Sequence, residues 1–255
     1  MLRRLPLVIT VAVLLAPVLS AQTVDEIIAK NVQARGGMDK IKSVQSVRST
    51  GTMTMGPGME APAILILKRP DNARLEFTVQ GLTAVQGYDG KDAWQIMPFT
   101  GKKDPEMMSA DDKKDIEETA DIDGPLVDYK SKGNKVELLG KDKLEGTDAY
   151  KLKATLKNGD VITIYLDADS FLEIKEELKR TIRGTEQEME SSIGDYKEVN
   201  GLMFAFAMEN GMKGSQQKEK ITISKIELNV PVDDAIFKMP AAPAAPTAQP
   251  EAPKK

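Results

Sequence analysis

Residues 46–99 run at a period of two, and that period admits little except an antiparallel sheet. Leu75, Phe77 and Val79 alternate with Arg74, Glu76 and Thr78, so the strand carrying them is apolar on one face and polar on the other. Residues 63–67 are apolar throughout, as expected of a strand covered on both sides. Pro70-Asp71-Asn72 and Tyr88-Asp89-Gly90 supply turns, and Gly56-Pro57-Gly58 reads as a hairpin tip. Seven more strand-like runs follow at 136–139, 150–156, 161–166, 172–182, 186–196, 202–208 and 221–228. With four in the first half, about eleven strands are expected.

Helical signals are few. Thr23 and Glu26 form a capping box, Val24, Ile27, Ile28 and Val32 follow at helical spacing, and Gly36-Gly37 stops the run. A short second turn is expected over 38–42. Residues 107–129 read as helix in two pieces broken at Gly124-Pro125, with Ile116, Ala120, Leu126 and Val127 apolar among acids. The expected fold is therefore β-dominated α+β. It is a single curved antiparallel sheet, an open half-barrel of about eleven strands, with helices covering its concave face.

The two ends read differently. Arg3 and Arg4 precede an apolar run over 5–19 and the small-residue site Leu19-Ser20-Ala21, so 1–21 is expected to be a cleavable signal peptide. No cysteine follows to take a lipid anchor, and an exported, soluble protein is expected. From Pro240 onward the sequence is rich in Ala and Pro, which predicts a disordered tail over 240–255 and one domain over 22–239. Losing Arg3 and Arg4 moves the formal charge from −4 to −6, a poor match to nucleic acid.

Catalysis finds little support. The 255 residues include no His and no Cys, which removes Ser-His triads, thiol nucleophiles and nearly all zinc sites. Of the carboxylate pairs, neither Asp121/Asp123 nor Asp167/Asp169 continues as a calcium loop, because position twelve is Lys132 or Leu178. These pairs and Glu176-Glu177 read as turn-forming or solvated acids. No enzyme activity, metal or cofactor is expected.

The order of motifs resembles the LolA/LolB-like family of bacterial lipoprotein carriers. Lys68-Arg69-Pro70 with Asn72 and Arg74 resembles the family's basic corner. Asp89-Gly90-Lys91 with Trp94 and Pro98-Phe99 resembles its hairpin. The stretches 146–152, 165–174, 195–206 and 229–237 fit in turn. The resemblance implies a periplasmic, monomeric chaperone that binds the acyl chains of lipoproteins, or lipid. It would take them from an inner-membrane transporter and deliver them to an outer-membrane acceptor. Related half-barrels act as ligand sensors or partner regulators, the alternative reading. The family closes its lid with an arginine, for which Arg48 and Arg74 are candidates.

Candidate lining residues are Leu75, Phe77 and Val79, with Ile64, Ile66, Trp94 and Ile96. Alternation alone leaves open which face is concave. Trp94 is either an inner anchor or a structural residue under a hairpin. The 13 Met against 6 Phe either fill a core or line a surface that repacks around variable ligands.

Overall fold

In the computed structural model, which describes residues 22–54, 56 and 58–241, one antiparallel sheet takes up most of the chain. The expected signal peptide and all but the first two residues of the expected tail lie outside the described residues, as do Met55 and Pro57. The sheet has thirteen strands. Its first half comprises β1 (Ser46–Thr54), β2 (Glu60–Lys68), β3 (Asn72–Val79), β4 (Leu82–Asp89), β5 (Ala93–Met97) and β6 (Lys102–Met107). The second comprises β7 (Lys135–Leu144), β8 (Thr147–Thr155), β9 (Val161–Asp167), β10 (Glu173–Ile182), β11 (Thr185–Val199), β12 (Leu202–Met212) and β13 (Glu219–Leu228). Three α-helices are described: α1 (Val24–Ala34), α2 (Met38–Ser43) and α3 (Ala110–Thr119).

Two meanders meet in the middle. The strand order is β6-β5-β4-β3-β2-β1-β13-β12-β11-β10-β9-β8-β7, so β13 joins β1 to β12 while β6 and β7 are the two edges among the described residues. All seven strands expected after residue 130 are present, and the first half holds six instead of four. β6, with Lys102, Lys103, Asp104 and Pro105, lacks apolar alternation; charge and proline are what an edge strand uses to refuse further pairing.

The helix expected over 107–129 is shorter than that. Met107 closes β6, Ser109 caps α3 by accepting from the Asp112 N–H at 3.1 Å, and the helix stops at Thr119. Residues 120–134 continue as turns, because Gly124 and Asp128 take left-handed φ values of 78° and 53° that no right-handed helix sustains. At α1 the capping box forms as expected, with Glu26 accepting from the Thr23 N–H at 2.8 Å. Gly36 ends that run at φ 120°, pressed so closely on Gly201 and Leu202 that a Cβ would overlap them.

Residues directly opposite in an antiparallel pair share a face, so the register sorts the side chains. The inner face is the one on which α1 and α2 sit. Ile27, Ile28 and Val32 of α1 and Ile41 of α2, with Leu126 and Val127, pack on Leu152, Ile162, Ile164, Leu202, Phe206 and Ile226. The outer face is covered in part by residues 229–239, which return along β3 and β4. Trp94 lies there, 1% exposed, its Nε1 donating to the Phe237 carbonyl at 2.7 Å. Gly87 opposes Trp94 on β4, and a Cβ at that position would overlap the indole ring.

Candidate functional site

Following the register beyond the helices uncovers an apolar belt. Ile193 opposes Met208, Met208 opposes Ile221, Ile221 opposes Met53, and Met53 opposes Ala61. One step along, Ile223, Gly51, Ala63, Phe77 and Ala84 form a second row. Ala61, Phe77 and Ala84 pack with Met53, Ala63, Leu75, Val79 and Met97 into a cluster that contains no helix residue. Most of these belt side chains are half-buried, packed between side chains of neighbouring strands. The belt reaches the molecular surface at Leu82, opposite Val79, and at Phe99, whose ring centroid is 5.8 Å from that of Phe77.

The seven lining candidates fall on two faces. Leu75, Phe77 and Val79 line the belt. Ile64, Ile66, Trp94 and Ile96 belong to the opposite rows: Ile66 opposes Arg48 and Arg74, Ile64 opposes Glu76, Trp94 opposes Gly87 and Ile96 opposes Val85. The structure therefore does not bring these four together with Phe77, and Trp94 is fixed beneath the returning C-terminal stretch. Among the methionines, Met53, Met97 and Met208 are half-buried near or on the belt, whereas Met59 is exposed and Met203 lies on the outer face.

Helix α3 crosses the opening of the half-barrel. On one side Ile116 and Ala120 rest on Ala73, Tyr88 and Ala93. On the other, Arg180 of β10 holds Asp115 and Glu118 while its Nε lies 3.1 Å from Asp160. That Nε contact is ionic only, since its geometry leaves the N–H without a hydrogen-bond acceptor. Arg180 is 2% exposed. Burial raises the Glu118 carboxyl above its usual range even though Arg180 opposes the shift. The segment after α3 is tied separately, by Arg69 to both oxygens of Asp123 (2.5 and 3.1 Å) and by Lys42 at 2.6 Å. Burial acts to raise the Asp123 carboxyl, but the hydrogen bonds from Arg69 and Lys42 prevail and hold it at about 2.

Neither Arg48 nor Arg74 serves this segment. Arg74 is on the outer face, bonded to Glu76 at 2.6 Å and to the Ile236 carbonyl at 2.8 Å, and Arg48 shares that face. Arg180 escaped notice inside the charged run 175–180, although period two already places it beside Leu178. Most members of the acid pairs are structurally committed; Glu176 is the exception, half-buried on the inner face instead of solvated. Asp121 binds Lys132, Glu177 binds Lys175 and Lys213, and Asp167 caps its own turn through the N–H groups of Asp169 and Ser170. Among the described residues no group of three or more Asp or Glu has the arrangement of a metal site.

No known family pattern matches the sequence, and no curated protein matches it. Solved structures do. A DUF1329 family protein from Desulfovibrio piger superposes with a TM-score of 0.58 at 14% identity, covering 86% of this chain and 98% of that one. A LolA superfamily protein from Nitrosomonas europaea gives 0.56 at 17% identity, over 86% and 98%. The chain has the LolA-type fold. A domain from Vibrio parahaemolyticus, provisionally assigned to outer membrane lipoprotein sorting, gives 0.54 at 14% identity over 82% and 94%. At these identities the likeness is one of fold alone.

Proposed function

We propose that this protein is a periplasmic carrier that binds the acyl chains of lipoproteins, or lipid, on the uncovered half of its inner face and delivers them toward the outer membrane. The observation that carries the reading is the belt through Phe77, Met53, Met208 and Ile193, an apolar surface inside a curved sheet whose Phe77–Met53 cluster includes no helix residue among the described residues. The lipoprotein-sorting description of a structural neighbour supports it.

The physics suits loading and release. Each buried methylene contributes about 0.8 kcal/mol, so a long acyl chain gains on the order of ten kcal/mol. A carrier must still let go. If the chain displaces part of the protein's own cover, the net gain is only the difference between two burials. Helix α3 suits that role, since Ile116 is its one buried apolar residue, Ala120 follows at its C-cap, and its remaining ties are ion pairs and hydrogen bonds.

The test is native mass spectrometry of the exported form (residues 22–255), purified without detergent and incubated with a triacylated lipopeptide. A bound lipopeptide, lost in Phe77→Asp, is the expected result. A clean apo mass with no uptake would overturn the carrier reading.

A further inference from the structure

A polar row interrupts the apolar inner face. Glu219 of β13 opposes Asn210 of β12, Asn210 opposes Ser191 of β11, and Ser191 opposes Glu176 of β10. Four adjacent strands thus place four polar side chains in line over about 14 Å, at about 4.8 Å per strand. Ile221, Met208 and Ile193 flank the row on one side, and Met212, Met189 and Leu178 on the other. All four polar residues are half-buried, and among the described residues their side chains make no hydrogen bond or ion pair.

The neighbouring cations do not serve them. Lys175, Lys213, Lys218 and Lys220 pair with Glu177, Glu188, Glu190 and Glu209. Glu190 and Glu209 alternate with Ser191 and Asn210 and so face outward. Inside, Glu173 and Glu118 add negative charge near Glu176, against Arg35 alone. Burial raises both end carboxyls, that of Glu176 to about 8, as expected where desolvation outweighs the counter-charge at hand. Unpaired polar groups on an otherwise apolar surface cost stability, and such costs collect at functional sites.

We infer that the Glu219–Asn210–Ser191–Glu176 row receives a primary ammonium group carried beside acyl chains. An ammonium brings three donors and a positive charge to a row in which every side chain offers an acceptor oxygen, and that charge favours the ionised form of the two end carboxyls. The inference rests on the carrier reading and narrows its cargo. The chemistry is shared by an aminolipid headgroup and by the free α-amino end of an acylated peptide.

Binding of dodecylamine, dodecanol and dodecanoate, each below its micelle-forming concentration, to residues 22–255 at pH 7.5 tests it by calorimetry. The amine is expected to bind at least about tenfold more tightly than either other ligand. In the Glu176→Gln/Glu219→Gln double variant the amine should fall to the level of dodecanol, whose own affinity stays unchanged. Equal affinities in the wild type, or an amine preference that survives the double variant, would overturn the inference while leaving the carrier reading intact. Failure of all three ligands to bind would remove both. Phosphatidylethanolamine and a diacylated peptide with a free α-amino end, each compared with its N-acetylated form, then separate headgroup from peptide as the source.

Discussion

Replacing Arg180 by methionine removes the cation that Asp115, Glu118 and Asp160 share. Taking one partner from a buried ion pair costs about 3–5 kcal/mol, because the other charge is left unpaired in a poor solvent. Here the three acids are not equally trapped. The Asp115 side chain is 68% exposed and turns to water, and that of Glu118 is one-third exposed and already inclined to hold a proton. Only Asp160, with its side chain 5% exposed, is fully stranded, retaining one hydrogen bond from Asn158 at 3.2 Å. The loss should therefore fall near the lower limit, about 3 kcal/mol, or about 6–12 °C in Tm for a domain of this size. Urea denaturation measures the global loss, and hydrogen exchange across 110–119 measures the release of α3. In the variant the raised Glu118 carboxyl binds its proton more readily folded than unfolded. Its unfavourable contribution therefore grows as pH rises above the unfolded value and shrinks on acidification. A loss below about 1 kcal/mol, with α3 amides as protected as in the wild type, would show that Ile116 and Ala120 hold the helix without Arg180.

Gly87→Ala drives a methyl into the ring of Trp94, an overpacking expected to cost about 1–3 kcal/mol and to red-shift the emission of this sole tryptophan; unchanged emission and Tm would contradict that packing. Asp123→Asn should remove an acid limb of the stability profile. With the carboxyl held at about 2, its contribution is present above the unfolded value of 3.8 and lost as pH falls through 2, about 2 kcal/mol in all, so denaturation midpoints of wild type and variant should converge near pH 2. Glu176→Gln acts at the other end. Burial raises Glu176, to about 8, and Glu173 beside it, so their burden appears as pH climbs from 4.5 toward 8; the variant should gain stability at pH 8, by at most about 5 kcal/mol, and nothing at pH 4. An equal gain at both values would remove titration as the cause.

Much of this architecture is legible from alternation. β3 shows its face because Leu75 and Phe77 stand among charged neighbours, and the same clarity exposes the seven later strands. β2 hides its face, since Ile64 and Ile66 are as apolar as Leu65 and Leu67, and only pairing with β3 decides which side is inner. Trp94 was ambiguous for a different reason. Its cover comes from Phe237, 143 residues away, and no local pattern announces it. The turns at 120–134 carry helix-like apolar spacing, and their departure depends on three left-handed residues, Gly124, Asp128 and Gly133. The polar row is likewise a property of register between strands. No single strand displays it.

The placement of β13 bears on how the molecule comes to exist. Among the described residues, the strand latest in the chain is the seventh of the thirteen in space, with six strands on either side. Until it arrives, β1 and β12 are raw edges and the belt is two unconnected halves, Met53 and Ala61 on one, Met208 and Ile193 on the other. Neighbouring strands within each half are near in sequence and form early, while the seam brings β1 against β13 across about 170 residues and closes late. The belt is thus assembled only once the chain has emerged through Leu228, so a nascent or truncated chain presents no finished belt.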